Sequence, residues 1–212
     1  SFSNPEQVRV THVALDLELD FEASRVRGRT TLELLRIDPA APLVLDTYGL
    51  AIAAVKGTDG TPRTFAFGTQ EGRLGQPLTI ELADGDREVA IDYATTAGSE
   101  ALQFLSPEQT AGGEHPYLFT QGQAILTRTW IPLQDSPGVR VTYDAAILAP
   151  KPLVVVMSAA SRFAQLRAER RVEGGLGEAG ARSLVLDGCP VRLDLAGDVV
   201  VAPFTSGELV AF

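Results

Sequence analysis

Apolar and polar residues alternate with a period of two along most of this chain. Val13, Leu15, Leu17, Leu19 and Phe21 interleave with Ala14, Asp16, Glu18 and Asp20, which predicts a strand with one buried and one solvated face. Glu22-Ala23-Ser24 forms a turn. Val26, Gly28, Thr30, Leu32 and Leu34 then alternate with Arg25, Arg27, Arg29, Thr31 and Glu33. Two long strands with so short a connection predict an antiparallel hairpin. Further strands are expected at Leu43–Asp46, Ala51–Val55, Thr64–Phe67, Leu78–Leu82 and Arg87–Thr95, separated by turns such as Lys56-Gly57-Thr58-Asp59-Gly60 and Ala83-Asp84-Gly85-Asp86. Asp-Gly and other glycine-rich punctuation at this rate predicts an all-β chain.

The pattern breaks in the middle. Glu100–Gln109 has room for a helical turn around Ser106-Pro107-Glu108. Residues 111–137 are polar and aromatic with little periodicity, either a functional segment or a plain long connection. Strands resume at Val139–Leu148, Leu153–Ala159, Ser183–Leu186, Val191–Leu195 and Val199–Phe204, and Glu173–Ala181 reads as a hairpin loop within a single domain.

The 212 residues suit one large domain or two small ones. With 45% hydrophobic and 21% charged residues, the composition is globular. Lys and Arg total 18 against 27 Asp and Glu, a formal net charge of −9. That balance repels phosphate backbones, and Arg170-Arg171 is too short a basic run to offset it, so no nucleic-acid partner is expected. No apolar run approaches the ~18 residues of a membrane span, so no membrane partner is expected either. A single cysteine, Cys189, excludes an intrachain disulfide framework.

Candidate chemistry is sparse. Gly175-Leu176-Gly177-Glu178-Ala179-Gly180 spells G-x-G-x-x-G, but that motif needs a strand before it and a helix after, and here a charged stretch precedes and Ser183-Leu184-Val185-Leu186 follows. A mobile hairpin tip is the better reading. There is no G-x-S-x-G nucleophile motif. His12 reads as a strand residue on the wet face, and His115 as a loop residue ordering its neighbours; neither has a partner at metal-ligand spacing. Cys189, before Pro190, suits an inert thiol. Glu108 and Glu114 are a formal acid–base pair, but in a chain so rich in acids they are read as loop structure. A lone Trp130 offers slim support for a carbohydrate-binding sandwich.

One stretch is specific. Ala101-Leu102-Gln103-Phe104-Leu105-Ser106-Pro107-Glu108-Gln109-Thr110 is followed by Glu114-His115-Pro116-Tyr117-Leu118-Phe119-Thr120-Gln121-Gly122-Gln123-Ala124-Ile125, then by Arg128 and Pro132-Leu133-Gln134-Asp135-Ser136-Pro137. This series resembles the N-terminal domain of the zinc aminopeptidase family of the leukotriene A4 hydrolase and aminopeptidase N type, including its bacterial members. Leu43-Val44-Leu45-Asp46-Thr47 with Leu50, and Val156-Met157-Ser158-Ala159, fit the same family, and the resemblance covers most of residues 8–160.

The resemblance implies a saddle-shaped, all-β domain that packs over a thermolysin-like catalytic domain and walls its substrate cleft. It implies that Gln123 hydrogen-bonds near the free N-terminus or first residue of a peptide, that Gln121 lies beside it, and that Ala124 leaves room for the first side chain. Arg128, Gln134 and Asp135 are expected to shape the loop. The family's H-E-x-x-H zinc motif, its downstream glutamate, its G-x-M-E-N segment and its catalytic tyrosine have no counterpart here. Cys189–Val199 matches the family's later strand only loosely. The zinc is therefore expected in a catalytic domain outside this chain, no cofactor is expected within it, and the chain alone is expected to be non-catalytic. The alternative is a stand-alone binding or scaffold module that kept the fold. The expected compartment is the cytoplasm, with secreted or periplasmic relatives known in the family.

Overall fold

A computed structural model describes residues 1–161, 181–186, 189–194 and 199–205. The all-β expectation holds. The long hairpin forms as β1 (Val8–Asp20) and β2 (Arg25–Arg36), followed by β3 (Leu43–Thr47), β4 (Ala51–Gly57), β5 (Phe65–Phe67), β6 (Gln76–Ile80) and β7 (Glu88–Ala94). Next come β8 (Leu102–Leu105), β9 (Tyr117–Thr120), β10 (Thr142–Pro150), β11 (Ala160–Ser161), β12 (Ala181–Leu186), β13 (Cys189–Asp194) and β14 (Val199–Thr205).

A seven-stranded sheet runs β11-β14-β10-β1-β2-β7-β4, a three-stranded sheet runs β3-β6-β5, and β8-β9 and β12-β13 form two-stranded ribbons. All these pairs are antiparallel except β1 with β10, which run parallel in register from His12 with Thr142 to Glu18 with Leu148.

The period-two reading assigns the faces of the hairpin. Val13, Leu15 and Leu17 of β1 and Val26, Leu32 and Leu34 of β2 are buried. They join Val89 and Ile91 of β7, Tyr143 and Ile147 of β10, and Leu43, Leu45, Leu78 and Ile80 of the smaller sheet in one core. Burying each such side chain contributes roughly 1.5–3 kcal/mol. Gly28 sits on the inward row of β2 where a side chain cannot: its φ is +150°, and a Cβ would collide with the Asp16 carbonyl oxygen of β1.

The solvated face of this sheet carries a ladder of ion pairs. Glu18 faces Arg27, and Asp16 faces Arg29, which faces Asp92. Arg27 Nη2 lies 2.8 Å from Glu18 and Arg29 Nε 2.7 Å from Asp92. These chains, with Ala51, Ala53 and Ala146, edge a shallow hollow of about 920 Å³.

The helical turn expected within Glu100–Gln109, around Ser106-Pro107-Glu108, forms as a single 3-10 turn at Pro107–Gln109. The strand just before it, Leu102–Leu105 paired with β9, is not marked in the sequence. It forms because Leu102 and Phe104 pack onto the core once a partner strand arrives from residues 117–120. One expectation needs correction: Leu153–Ala159 is not assigned as a strand, and only Ala160–Ser161 pairs, with β14. Its alternation still operates, because Val155, Met157 and Ala159 pack on the core while Val154 and Val156 are 83% and 85% exposed. The expected loop at residues 173–181, including Gly175–Gly180, falls almost wholly outside the described residues, as does the environment of the Cys189 thiol.

Candidate functional site

The segment from Gln121 to Asp135 leaves the end of the β8-β9 ribbon and returns across β3. Register in the ribbon ends at Leu102 with Thr120, and the Gln121 N–H continues it by donating to the Ala101 carbonyl at 2.9 Å. The chain then turns sharply. The Gln123 N–H donates to Gln121 Oε1 at 2.9 Å, and the Leu126 N–H donates to the Gly122 carbonyl at 2.7 Å. Gly122 is needed at this corner because a Cβ there would run into the Thr127 hydroxyl. Gln121, Gln123 and Ala124 are all exposed at the tip of this lip, and the Gln123–Ala124 peptide is cis.

Behind the exposed lip lies a sealed polar cluster. A 3-10 turn at Thr127–Thr129 buries all three of its residues. The Thr129 hydroxyl bonds the Leu126 carbonyl at 2.7 Å and accepts the Ala101 N–H at 3.2 Å, tying the turn to the start of β8. Arg128 is 0% exposed. Its Nε donates to Asp135 Oδ2 at 2.9 Å, its Nη2 to the Asp135 carbonyl at 2.8 Å, its Nη1 to the Leu74 carbonyl at 2.8 Å, and Nη1 also lies 3.4 Å from Asp46 Oδ1. The fork geometry of a guanidinium suits such divergent acceptors, whereas an ammonium does not.

Asp46, also 0% exposed, takes the Asp135 N–H at 3.0 Å on Oδ2. Backbone bonds from Asp46 N–H to Leu133 O and from Tyr48 N–H to Arg128 O, 2.8 and 2.9 Å, stitch the segment to β3. Burial pushes the Asp135 carboxyl above the usual carboxylate range, and Arg128 pulls it back only in part.

Gln134 closes the far end. Its Nε2 donates to the Val8 carbonyl at 2.8 Å and its Oε1 accepts the Val10 N–H at 3.0 Å. One side-chain amide thus stands in for a strand partner where β1 bulges between Val10 and His12. Arg128, Gln134 and Asp135 therefore act on the shape of the segment. Sequence reasoning missed Asp46, Thr127 and Thr129 as parts of it. Asp46 is 82 residues from Arg128, and its only local signal is an acid at the end of the apolar run Leu43-Val44-Leu45.

The other candidates are dispersed. His12 Nδ1 sits 2.7 Å from the Thr142 hydroxyl, and Nε2 lies 3.5 Å from Asp144. His115 is exposed in the β8-β9 loop, its carbonyl bonded by the Thr110 hydroxyl. With Thr110, Glu114 and Tyr117 it edges a hollow of about 420 Å³. Trp130 is partly buried against the core.

The peptidase M1 N-terminal domain family matches residues 9–171. This chain belongs to that family. This M1 domain is 41% identical over 165 residues to leukotriene A-4 hydrolase of Xenopus laevis, covering 75% of this chain and 27% of that protein. It is 38% identical over 157 residues to leucine aminopeptidase 2 of Yarrowia lipolytica, covering 73% and 24%. The chain thus spans about a quarter of the length of these curated relatives. Among solved structures, yeast leukotriene A4 hydrolase in complex with bestatin superposes with a TM-score of 0.76 at 27% identity, over 99% of this chain and 28% of that one. An M1 zinc metallopeptidase from Deinococcus radiodurans shares the fold, at TM-score 0.62 and 16% identity over 97% of this chain and 40% of that one.

The M1 family is one of zinc peptidases, but the described residues of this chain do not fit that metal. Among the described residues no three His, Cys, Asp or Glu side chains gather as ligands. The two histidines of the sequence lie on β1 and in the β8-β9 loop. No helix among the described residues is long and apolar enough to cross a membrane.

Proposed function

We propose that this M1 domain is the substrate-cleft and docking domain of a leukotriene A4 hydrolase-like zinc aminopeptidase that removes N-terminal residues from peptides. The observation that carries the reading is the exposed Gln121-Gly122-Gln123-Ala124 lip, mounted on the buried Arg128 cluster. A site that must hold a substrate in one pose needs exposed polar groups on a rigid support. Here two exposed amides lie on the segment that leads into a buried guanidinium bonded at all three of its nitrogens.

In this reading Gln123 accepts a hydrogen bond from the peptide's terminal ammonium or donates one to its first carbonyl, which a neutral amide can do in either direction. Gln121 is partly committed, since its Oε1 holds the Gln123 N–H. Its Nε2 remains the outward donor. Ala124 leaves space for the first side chain. The partner is the catalytic domain of the same parent protein, which holds the zinc and activates water; the ligands are peptide N-termini. The chain by itself does not turn over peptides, and the proposed compartment is the cytoplasm.

The test is Gln123→Ala in the longer enzyme, with an aminoacyl chromogenic substrate. The expected result is a KM raised about tenfold with kcat little changed, as for loss of a uniform binding contact. An unchanged KM overturns the assignment of Gln123. The 212-residue chain, incubated with zinc and the same substrate, is expected to match a buffer blank; chelator-sensitive turnover would overturn its non-catalytic role.

A further inference from the structure

Asp46 is the point at which two distant parts of the chain meet. Its Oδ1 accepts the Phe2 N–H at 2.7 Å and faces Arg128 Nη1; its Oδ2 accepts the Ser1 hydroxyl at 2.5 Å and the Asp135 N–H at 3.0 Å. One carboxylate therefore carries donors from the N-terminal strap on one side and from the lip's support on the other. The strap is anchored beyond this point. Asn4 Nδ2 donates to the Pro42 carbonyl and Asn4 Oδ1 accepts the Val44 N–H, at 3.0 and 3.2 Å. The Gln7 and Val8 N–H groups both donate to the Asn4 carbonyl.

The path from this carboxylate to the lip is short. Asp46 faces Arg128, and Arg128 lies one residue beyond Thr127, whose hydroxyl abuts Gly122. A buried carboxylate needs hydrogen-bond donors on both oxygens to offset its lost hydration. Removing the strap's two donors would shift the burden of Asp46 onto Arg128 Nη1 and the Asp135 N–H, and both belong to the segment that supports the lip.

We propose that Asp46 is a positioning residue for the Gln121–Ala124 lip, acting through Arg128 and Asp135 and held from outside by Ser1 and Phe2. The strap thereby sets the pose of the substrate-facing amides from outside the lip itself. This rests on the reading of the lip as the peptide-facing element, but its test does not.

The experiment is amide hydrogen exchange by NMR on the 212-residue chain. Asp46→Asn keeps the shape but turns one acceptor into a donor facing other donors. The Gln123 and Leu126 amides, bonded to Gln121 Oε1 and the Gly122 carbonyl, should then exchange about tenfold faster, while Leu32 and Ile91 in the β2-β7 ladder keep their rates. Phe2→Pro deletes the strap's N–H donor at a half-buried position outside the hydrophobic core. It should accelerate the same two lip amides about threefold. Equal acceleration at all four amides in both variants would mean a purely global structural role and overturn the proposal, as would no change in the lip. If Gln123→Ala leaves KM unchanged while these amides respond as stated, the peptide-binding reading falls and the Asp46 assignment stands. The opposite pattern removes the assignment and leaves the reading intact.

Discussion

Arg128 Nε lies 2.9 Å from Asp135 Oδ2, and both side chains are sealed from solvent, with a second carboxylate from Asp46 on the other side of the guanidinium. The trio carries one positive and two negative charges in a low-dielectric setting. Such a cluster persists only through backbone donors and acceptors, and here the Asp135 and Phe2 N–H groups and the Leu74 and Asp135 carbonyls provide them. One Asp135 oxygen, Oδ1, is buried with no hydrogen-bond partner among the described residues, which accords with the upward push on that carboxyl.

Removing the cation should therefore be severe. Arg128→Ala leaves two buried carboxylates facing each other and is expected to cost about 3–5 kcal/mol. Arg128→Lys should recover part of this, since an ammonium supplies charge without the fork that reaches Asp135, Leu74 and Asp46 together. Urea unfolding of the chain, followed by circular dichroism, reads both values. A loss under ~1 kcal/mol for Arg128→Ala would contradict this account of the cluster.

Gln134 gives a second, independent check. Its amide satisfies one buried acceptor at Val8 and one buried donor at Val10. Gln134→Leu fits by size but leaves both backbone groups unpaired, so a loss of about 2 kcal/mol or more is expected. By contrast, Gln123→Ala at the exposed lip should stay within about 0.5 kcal/mol. Thermal unfolding of the two variants side by side should separate a buried bridging amide from a solvent-facing one.

Asp86 should make the fold acid-sensitive. The Arg63 guanidinium, 2.7 Å away and doubly bonded to it, holds the Asp86 carboxyl below the usual carboxylate range. A carboxyl whose folded pKa lies below its unfolded value binds fewer protons when folded. Its stabilisation is thus fully present above the unfolded value and is lost as pH falls through the folded one. The stability gap between wild type and Asp86→Asn should be constant from pH 7 to about 5 and shrink below about 4. Asp135 has the opposite sign: with its carboxyl raised by burial, its contribution worsens as pH climbs through the window above the ordinary carboxylate value. Urea midpoints at several pH values, with Asp135→Asn as the companion variant, distinguish the two. A gap that widens on acidification would contradict the Asp86 assignment.

Strand existence and facing were legible in the amino-acid order because both follow from a local rule. Val13, Leu15 and Leu17 had to share a face whatever they packed on, and the Gly and Asp punctuation told where each strand stopped. The same rule failed at Leu102–Leu105, where four residues were too few to display a period and the partner lay beyond an eleven-residue loop (106–116). It half-failed at Leu153–Ala159, whose alternation is real while its ladder is not assigned, because side-chain burial and backbone pairing are separate requirements.

The lip was visible as a run of residues: Gln121, Gln123 and Ala124 stood out through the ordered motif around them. Its support was not. Asp46 reads locally as the end of a strand, and only folding brings it against a guanidinium 82 residues away and the Ser1 and Phe2 donors.

By itself, the amino-acid order determined an acidic, strand-built chain with an M1-type motif and the inward row of most strands, because alternation and turn chemistry act over a few residues. Tertiary structure alone decided that β1 lies parallel to β10, that Gln134 completes the bulged edge of β1, and that one buried carboxylate joins Ser1 and Phe2 to Arg128 and Asp135. Those outcomes depend on hydrogen-bond partners and desolvated charges brought together from far apart in the chain, and no local pattern encodes which distant group will arrive.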